Sequence, residues 1–431
     1  MKRRIVITGM GTLTPVGNSL QATWKAVVSG RSGIGPITLF DASKLPVRIA
    51  GEVKDFTSDD SAIPQDMRNL PGRSAFFCLS AAHEAMQDAG LDMGHENPLR
   101  VGISLGADEG AQLFHTINQL YDQPRVLRAL AGGVPLFVEC LKHSSLLGKI
   151  WSFKRRADIA TKMLAIICGI QGPADTTITA CSSSGHAMGK AKRMIENDDC
   201  DVVIAGGHCA MISEFSAAGF YLLGTLSTRN DEPQRASRPF DLDRDGFVIS
   251  EGAGILVLEE LEHARRRGAR MYGEFAGYGS SSNAYRLTDT PPDGKGADIA
   301  MHRALEDAGL DASRVGYINA HGTATLLNDR SETLAIKHVF GDRAYKIPVS
   351  SSKSMIGHMV CASSAVELII SVMAVKENII PPTINLENPD PLCDLDYVPN
   401  TARKQELDVA LSNSFAFGGQ NATLVVTKFK G

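Results

Sequence analysis

Three side chains in this sequence have both the chemistry and the setting to act on another molecule. Cys181 stands where Asp175-Thr176-Thr177-Ile178-Thr179, preceded by Gly172-Pro173, gives way to Ser182-Ser183-Ser184-Gly185-His186-Ala187-Met188-Gly189. The first run is β-branched and predicts a short buried strand. The second opens a helix with small residues and a choice of serine caps. A thiol at that junction faces the positive end of a helix dipole and unpaired amide protons, and both favour the nucleophilic thiolate. Taken alone, the same pattern also suits a buried structural cysteine. Two histidines tip the balance. Gly316-Tyr317-Ile318-Asn319-Ala320-His321-Gly322-Thr323-Ala324-Thr325 reads as a strand ending in a His-Gly-Thr turn. Val349-Ser350-Ser351-Ser352-Lys353-Ser354-Met355-Ile356-Gly357-His358 reads as a strand running into a small-residue helix start. Each puts a histidine at the carboxyl end of a strand, where open α/β sheets hold their ligands. One such histidine is ordinarily structural, but a cysteine and two histidines at matching strand exits are hard to explain as packing.

The elements that must position these groups repeat along the chain. Ala85-Met86-Gln87-Asp88-Ala89-Gly90-Leu91-Asp92 is echoed by Ala304-Leu305-Glu306-Asp307-Ala308-Gly309-Leu310-Asp311, each a helix ending at an Ala-Gly cap. A strand follows each, over 100–106 and 314–320. The opening Arg4-Ile5-Val6-Ile7-Thr8-Gly9-Met10-Gly11 finds a looser echo in 271–279. Continuing the match sets Cys181 and its helix opposite Lys353, His358 and theirs. Strands over 251–259 and 421–427 close the two copies, and the charged stretch 262–268 links them. A duplicated α/β unit implies parallel-rich sheets covered by helices, divided here into halves 1–260 and 261–431.

The composition is that of a globular enzyme-sized chain: 431 residues, 43% hydrophobic and 21% charged. A formal net charge of -4 and 6% aromatic residues argue against nucleic-acid binding. The eight cysteines (Cys78, Cys140, Cys168, Cys181, Cys200, Cys209, Cys361 and Cys393) show no C-x-x-C pair and no metal spacing along the sequence, so no metal site is expected. They read as reduced thiols of a cytoplasmic protein. Met1-Lys2-Arg3-Arg4 lacks a signal peptide's apolar region, and no apolar run reaches membrane-spanning length.

Taken in order along the chain, these segments resemble the β-ketoacyl-acyl-carrier-protein synthases of the elongating, synthase II-like type. The likeness runs from Arg4 almost to the carboxyl terminus. It includes Thr8-Gly9-Met10-Gly11, Pro15-Val16-Gly17-Asn18, Leu226-Ser227-Thr228-Arg229-Asn230, Ser237-Arg238-Pro239-Phe240-Asp241, Arg244-Asp245-Gly246-Phe247, Ser412-Asn413-Ser414-Phe415 and Phe417-Gly418-Gly419. The resemblance implies the thiolase fold, two pseudo-repeated halves in an α-β-α-β-α arrangement. It also implies a homodimer, or a heterodimer with a second ketosynthase-like subunit.

The resemblance further implies a decarboxylative condensation of an acyl group with a malonyl thioester. Cys181 would be the acyl acceptor, with its own amide and that of Phe417 as an oxyanion hole. His321 and His358, as neutral imidazoles, would donate to the enolate oxygen. Lys353 would orient them and pair with Glu367, since a buried ammonium needs a partner. Thr323 and Thr325 would hydrogen-bond the phosphopantetheine arm that arrives on the carrier protein, the protein having no cofactor of its own. Phe417 would also gate the acyl tunnel, and Asp329 and Glu332 would be outer supports. Acyl carrier protein is acidic, so Arg68, Arg73, Arg229, Arg235 and the basic run from Lys149 to Arg156 are candidates for docking it.

The sequence departs from the family in three places. After His358 it reads Cys361-Ala362-Ser363-Ser364 where Gly-Ala-Ala-Gly is usual. The gating loop has Ala416 where glycine is typical, a Cβ expected to restrict positive φ. The stretch from Asp108 to Ile167 is enlarged, with an apolar part over 127–147. These changes bear on substrate range, a specialised fatty-acid or polyketide route among them, more than on chemistry. Two rival readings remain: a non-catalytic chain-length-factor-like partner, which generally lacks the cysteine, and a thiolase or starter-type synthase, which uses a different set from Cys-His-His.

Overall fold

The structure, a computed structural model, describes residues 3–57, 63–65, 72–108 and 156–431. Arg68, Cys140, the apolar 127–147 stretch and the basic residues 149–155 lie outside the described residues.

One series of elements occurs twice. The first comprises β1 (Ile5–Leu13), α1 (Arg73–Ala89), β2 (Val101–Gly106), α2 (Ile159–Cys168), β3 (Ala174–Thr177), α3 (Ser183–Glu196), β4 (Val202–Cys209) and β5 (Gly252–Glu260). The second comprises β6 (Gly273–Ser282), α4 (Ala297–Ala308), β7 (Tyr317–Asn319), α5 (Leu326–Phe340), β8 (Val349–Ser350), α6 (Ser363–Glu377), β9 (Val409–Phe415) and β10 (Gln420–Thr427). The strand orders are β3-β2-β4-β5-β1 and β8-β7-β9-β10-β6, the same order shifted by five. They join where Val6 and Ile7 of β1 pair with Glu274 and Gly273 of β6, giving one ten-stranded sheet.

Glycine sets the spacing of the outer layers. A Cβ on Gly9 or Gly11 of β1 would lie 2.1 Å from the carbonyl oxygen of Ala85 or Ala81 in α1. On Gly277 and Gly279 of β6 it would lie 2.3 and 2.1 Å from those of Ala304 and Ala300 in α4. The repeated Ala-Gly caps are real: Gly90 (φ 59°) and Gly309 (φ 63°) end α1 and α4 in the left-handed conformation.

Two helices are shared between the halves. α3 packs on β2 and β4 and also reaches β6 and β10, while α6 packs on β9 and β10 and also reaches β4 and β5. With α1 and α2 on one outer face and α4 and α5 on the other, the layers run α-β-α-β-α as expected. Nearly all of α6 is buried, which explains its run of apolar residues around Glu367.

Three expectations need correction. The strand before Cys181 is Ala174–Thr177. It is no buried strand but, among the described residues, the open edge of its sheet, paired only with β2 and mostly exposed or half-buried. The sheets are mixed rather than parallel-rich: β2 runs parallel to β3 and β4, and β5 runs antiparallel to β4 and β1, a scheme the second half repeats. The internal match is also offset. The counterpart of Cys181 is Cys361, because each sits in one tight turn before α3 or α6 and follows a non-glycine residue of positive φ, Ala180 (48°) and Val360 (42°).

Candidate active site

Cys181 occupies a turn stapled by its own serines. Ser183 Oγ accepts from the Thr179 amide at 2.9 Å and donates to the Ala180 carbonyl at 2.7 Å. The positive φ of Ala180 is an uncommon conformation for a residue with a Cβ, of the kind that clusters at functional sites. His321 follows β7 on a turn whose amides are held by one carboxylate: the N–H groups of His321 and Gly322 donate to Glu332 of α5, each at 2.8 Å. Asn413 of β9 also donates to Glu332, at 3.2 Å. His358 follows Gly357 (φ 69°) and is tied to the first half through its backbone. Its N–H donates to the Val248 carbonyl at 2.8 Å, and its carbonyl accepts from the Ser250 amide at 2.9 Å.

These segments bring the three groups together. His358 Nε2 lies 3.1 Å from Cys181 Sγ, and one ligand atom from each of Cys181, His321 and His358 falls within 4.8 Å of the others. The two imidazole rings meet edge to face with centroids 5.4 Å apart. Residue spacing along the chain shows no sign of such a cluster; the fold assembles it, and its donor set is of a kind that also suits zinc. The amides of Phe417 and of Cys181 itself favour negative charge on the sulfur. Phe417 stands in the turn between β9 and β10, where Gly418 (φ 81°) and Gly419 (φ 76°) take the left-handed conformations. Ala416 has φ -103°, so its Cβ imposes no strain on the loop as it stands.

The groups are almost wholly buried, Cys181 being 5% exposed and each histidine 2%. Burial pushes the Cys181 thiol up to about 12, reinforced by Cys361 and opposed by the Phe417 amide and the Lys353 ammonium. The helix terminus therefore does not leave a free thiolate, as position alone implied; desolvation outweighs it. Burial, with the Lys353 charge, holds both His321 and His358 well below the ordinary imidazole range, so both are neutral. Lys353 Nζ forms a buried ion pair with Glu367 of α6. Burial lifts the Glu367 and Glu332 carboxyls to about 7, opposed by Lys353 in the first case and by the Gly322 and His321 amides in the second.

A cavity of about 290 Å³ opens from this cluster and is lined by Cys181, His321, His358, Thr323, Thr325 and Phe417 among others. Thr323 and Thr325 hydrogen-bond each other through their hydroxyls at 2.9 Å. A larger cavity of about 630 Å³ lies on the outer face between α1 and α2, away from these groups. Asp329 stands one shell further out, accepting from the Phe240 amide at 2.8 Å and pairing with Arg244 at 3.4 Å. Of the basic candidates, Arg73 is engaged with Glu251 and the Val53 carbonyl and so is no free docking charge. Arg229 lies 3.8 Å from Asp245, which lines the cavity, while Arg235 pairs with Glu232 and Glu387, and Arg156 with Asp158.

Sequence reading missed what Ser363 and Ser364 touch. Ser363 Oγ meets His358 Nδ1 at 3.0 Å, and Ser364 Oγ reaches the Cys181 carbonyl at 3.2 Å. It also missed Phe247, which packs edge-on against His358 at 5.1 Å. The two serines stood out only as departures from a family pattern, and nothing local to them marks a partner so distant in sequence.

Comparison with known proteins places the chain among relatives that cover nearly all of it. Family models described as "Beta-ketoacyl synthase, N-terminal domain" and "Beta-ketoacyl synthase, C-terminal domain" match residues 2–264 and 272–387. Among relatives, the chain is 44% identical to "3-oxoacyl-[acyl-carrier-protein] synthase 2" of Coxiella burnetii over 434 residues, 99% of each chain. It is 44% identical over 435 residues to the protein of that name from Synechocystis, covering 100% of this chain and 99% of the relative. Among solved structures, a β-ketoacyl synthase from Burkholderia phymatum has a TM-score of 0.86 at 32% identity, covering 99% of this chain and 100% of that one. A type II polyketide ketosynthase bound to its acyl-carrier protein reaches 0.87 at 32% identity over 100% of both chains. Matched over residues 2–264 and 272–387 by the two halves of the family's model, and carrying one thiol and two neutral imidazoles in a single buried cluster, the chain belongs to the β-ketoacyl synthase family.

Proposed function

We propose that the protein condenses an acyl group, carried on Cys181, with malonyl-acyl-carrier protein to give β-ketoacyl-acyl-carrier protein and CO2. The observation that carries this reading is the meeting of Cys181, His321 and His358 within 4.8 Å at the wall of a cavity of about 290 Å³.

In the first half-reaction the Cys181 sulfur attacks the acyl thioester carbonyl, the bond from that carbon to the carrier's sulfur breaks, and the proton given up by the Cys181 thiol ends on the departing carrier thiol. The tetrahedral oxyanion sits between the amides of Cys181 and Phe417; removing one such donor typically costs about 10²–10³ in rate. In the second, the malonyl thioester loses CO2 and the electron pair moves into an enolate, whose oxygen accepts from His321 and His358. Neutral rings suit this role, because each keeps one N–H to give. The enolate carbon then attacks the acyl carbonyl, the carbon–sulfur bond to Cys181 breaks, and the departing thiolate takes up a proton from water to restore the thiol. Lys353, held by Glu367, sets the potential around both rings, and Glu332 fixes the turn that carries His321. Thr323 and Thr325 line the path of the carrier's phosphopantetheine.

The partners in this reading are acyl carrier protein and a second subunit, identical or ketosynthase-like. The open edge at β3 supports pairing with another chain. The retained cysteine favours a working synthase over a chain-length-factor-like subunit.

The test is mass spectrometry of the protein after incubation with acyl-charged carrier. One acyl increment is expected on the peptide holding Cys181 and none in Cys181→Ala; an unchanged mass with intact, charged carrier overturns the reading.

A further inference from the structure

Ser363 has no part in the chemistry above, yet its hydroxyl is buried against it. It opens α6 as Ser183 opens α3 at the matching place in the other half. The two hydroxyls are used differently. Ser183 Oγ is satisfied by backbone, accepting from the Thr179 amide and donating to the Ala180 carbonyl. Ser363 is 1% exposed, and among the described residues its Oγ has one partner, His358 Nδ1 at 3.0 Å.

A buried hydroxyl hydrogen left without an acceptor is costly. The acceptor in reach here is Nδ1, which can accept only when it carries no proton. A neutral imidazole holds one proton, so it then sits on Nε2. With the proton on Nδ1 instead, the Ser363 hydroxyl hydrogen would be stranded in the interior. Nε2 is the atom 3.1 Å from Cys181 Sγ, on the side where the reacting thioester is presented. An N–H there can donate to a developing enolate oxygen, whereas a bare nitrogen would turn its lone pair toward it. Among the described residues His321 has no equivalent device, since its Nδ1 is buried with no hydrogen-bond partner there.

We infer that Ser363 locks His358 in the Nε2–H form and is a positioning residue for malonyl decarboxylation, standing where the family's Gly-Ala-Ala-Gly stretch has its second alanine. The inference rests on the proposed function, and specifically on His358 acting as donor to the enolate.

Two measurements on the full-length chain test it. The first is carrier-bound malonyl decarboxylation by Cys181→Gln, which has no acyl acceptor, against Cys181→Gln with Ser363→Ala. Alanine is a strong helix former, so α6 is not endangered. Loss of the hydroxyl is expected to lower kcat about three- to tenfold, the range of one hydrogen bond, with KM within about twofold. Ser363→Thr, which keeps the hydroxyl, is expected to restore the rate. The second is 15N NMR of histidine-labelled protein, with His358 assigned by its loss in His358→Gln. Ser363 protein should show a protonated Nε2 and a bare Nδ1, and Ser363→Ala a growing share of the other tautomer. An unchanged kcat in Ser363→Ala, or a protonated Nδ1 with serine in place, overturns the inference. A parent Cys181→Gln that releases no CO2 defeats the functional proposal instead, and the NMR of the serine chain still decides the tautomer.

Discussion

Desolvation sets the charge state of the site at the scale of single residues. The side chains that must exchange protons or electrons are all buried, and burial disfavours whichever form is charged. The two imidazoles feel it together with the Lys353 ammonium, and both effects push the same way. A histidine whose folded pKa is depressed stays neutral as the pH falls through the ordinary value near ~6.5, while the unfolded chain takes up a proton there. Its stabilising contribution is present above that value and is lost as the pH falls below it. The ring-proton shifts of His321 and His358 are therefore expected to stay flat between about pH 5.5 and 8. An inflection near ~6.5 in either signal would show that these rings titrate like exposed ones. The carboxyls behave oppositely: Glu332 and Glu367 are lifted to about 7, so the stability tied to their neutral forms is lost as the pH rises through that value. A rate change near neutrality accordingly belongs to these carboxyls, one holding the His321 turn and the other the Lys353 ammonium.

At the scale of elements, the repeated contact is strand glycine against helix backbone. A methyl group at Gly11 or Gly279 would sit 2.1 Å from a helix carbonyl oxygen, so α1 or α4 must lift off its sheet. Gly11→Ala and Gly279→Ala are each expected to cost about 1–3 kcal/mol in denaturant unfolding, the range for forced overpacking. Gly35→Ala, with nothing within 4 Å of its Cβ, should stay within about 0.5 kcal/mol. Equal stability of all three would mean that the helices are not seated as described. These elements also show what a sequence can and cannot disclose. The two Ala-Gly caps were legible because a C-terminal glycine has a fixed conformational purpose, and the strand exits of His321 and His358 because their flanking residues are distinctive. The short strand before Cys181 was misread as buried, since β-branched residues serve an edge as well as a centre. The true mate of Cys181 was hidden because the signature it shares with Cys361 is a positive φ at Ala180 and Val360, which neither alanine nor valine announces. The partner of Ser363 was invisible for a related reason: whether its hydroxyl meets backbone, as in Ser183, or a histidine ring depends on packing rather than on residue type.

At the scale of the whole molecule, the site exists only while both copies of the repeat hold their mutual position. Cys181 belongs to the first series of elements, and His321, His358 and Lys353 to the second. What joins them is the shared middle layer of α3 and α6, together with the backbone hydrogen bonds from His358 to Val248 and Ser250. Gly254 of β5 lies at a tight point of this junction, since a Cβ there would come within 2.8 Å of the Val366 amide nitrogen on α6. Gly254 is remote from the chemistry, but Val366 adjoins Glu367 on the helix that Ser363 begins. Gly254→Ala should therefore displace α6 relative to the first half and move Lys353, through Glu367, away from the two rings. Misplacement of about 1 Å can cost 10²-fold, so condensation is expected to fall about ten- to a hundredfold in protein that remains folded by circular dichroism. Thermal unfolding of the same variant should remain one transition, lowered for both halves together, because neither sheet retains a complete inner cover without the shared helices. A folded Gly254→Ala protein with the parent's rate would show that the halves tolerate relative movement, and that the juxtaposition of thiol and imidazoles is maintained by the local turns alone.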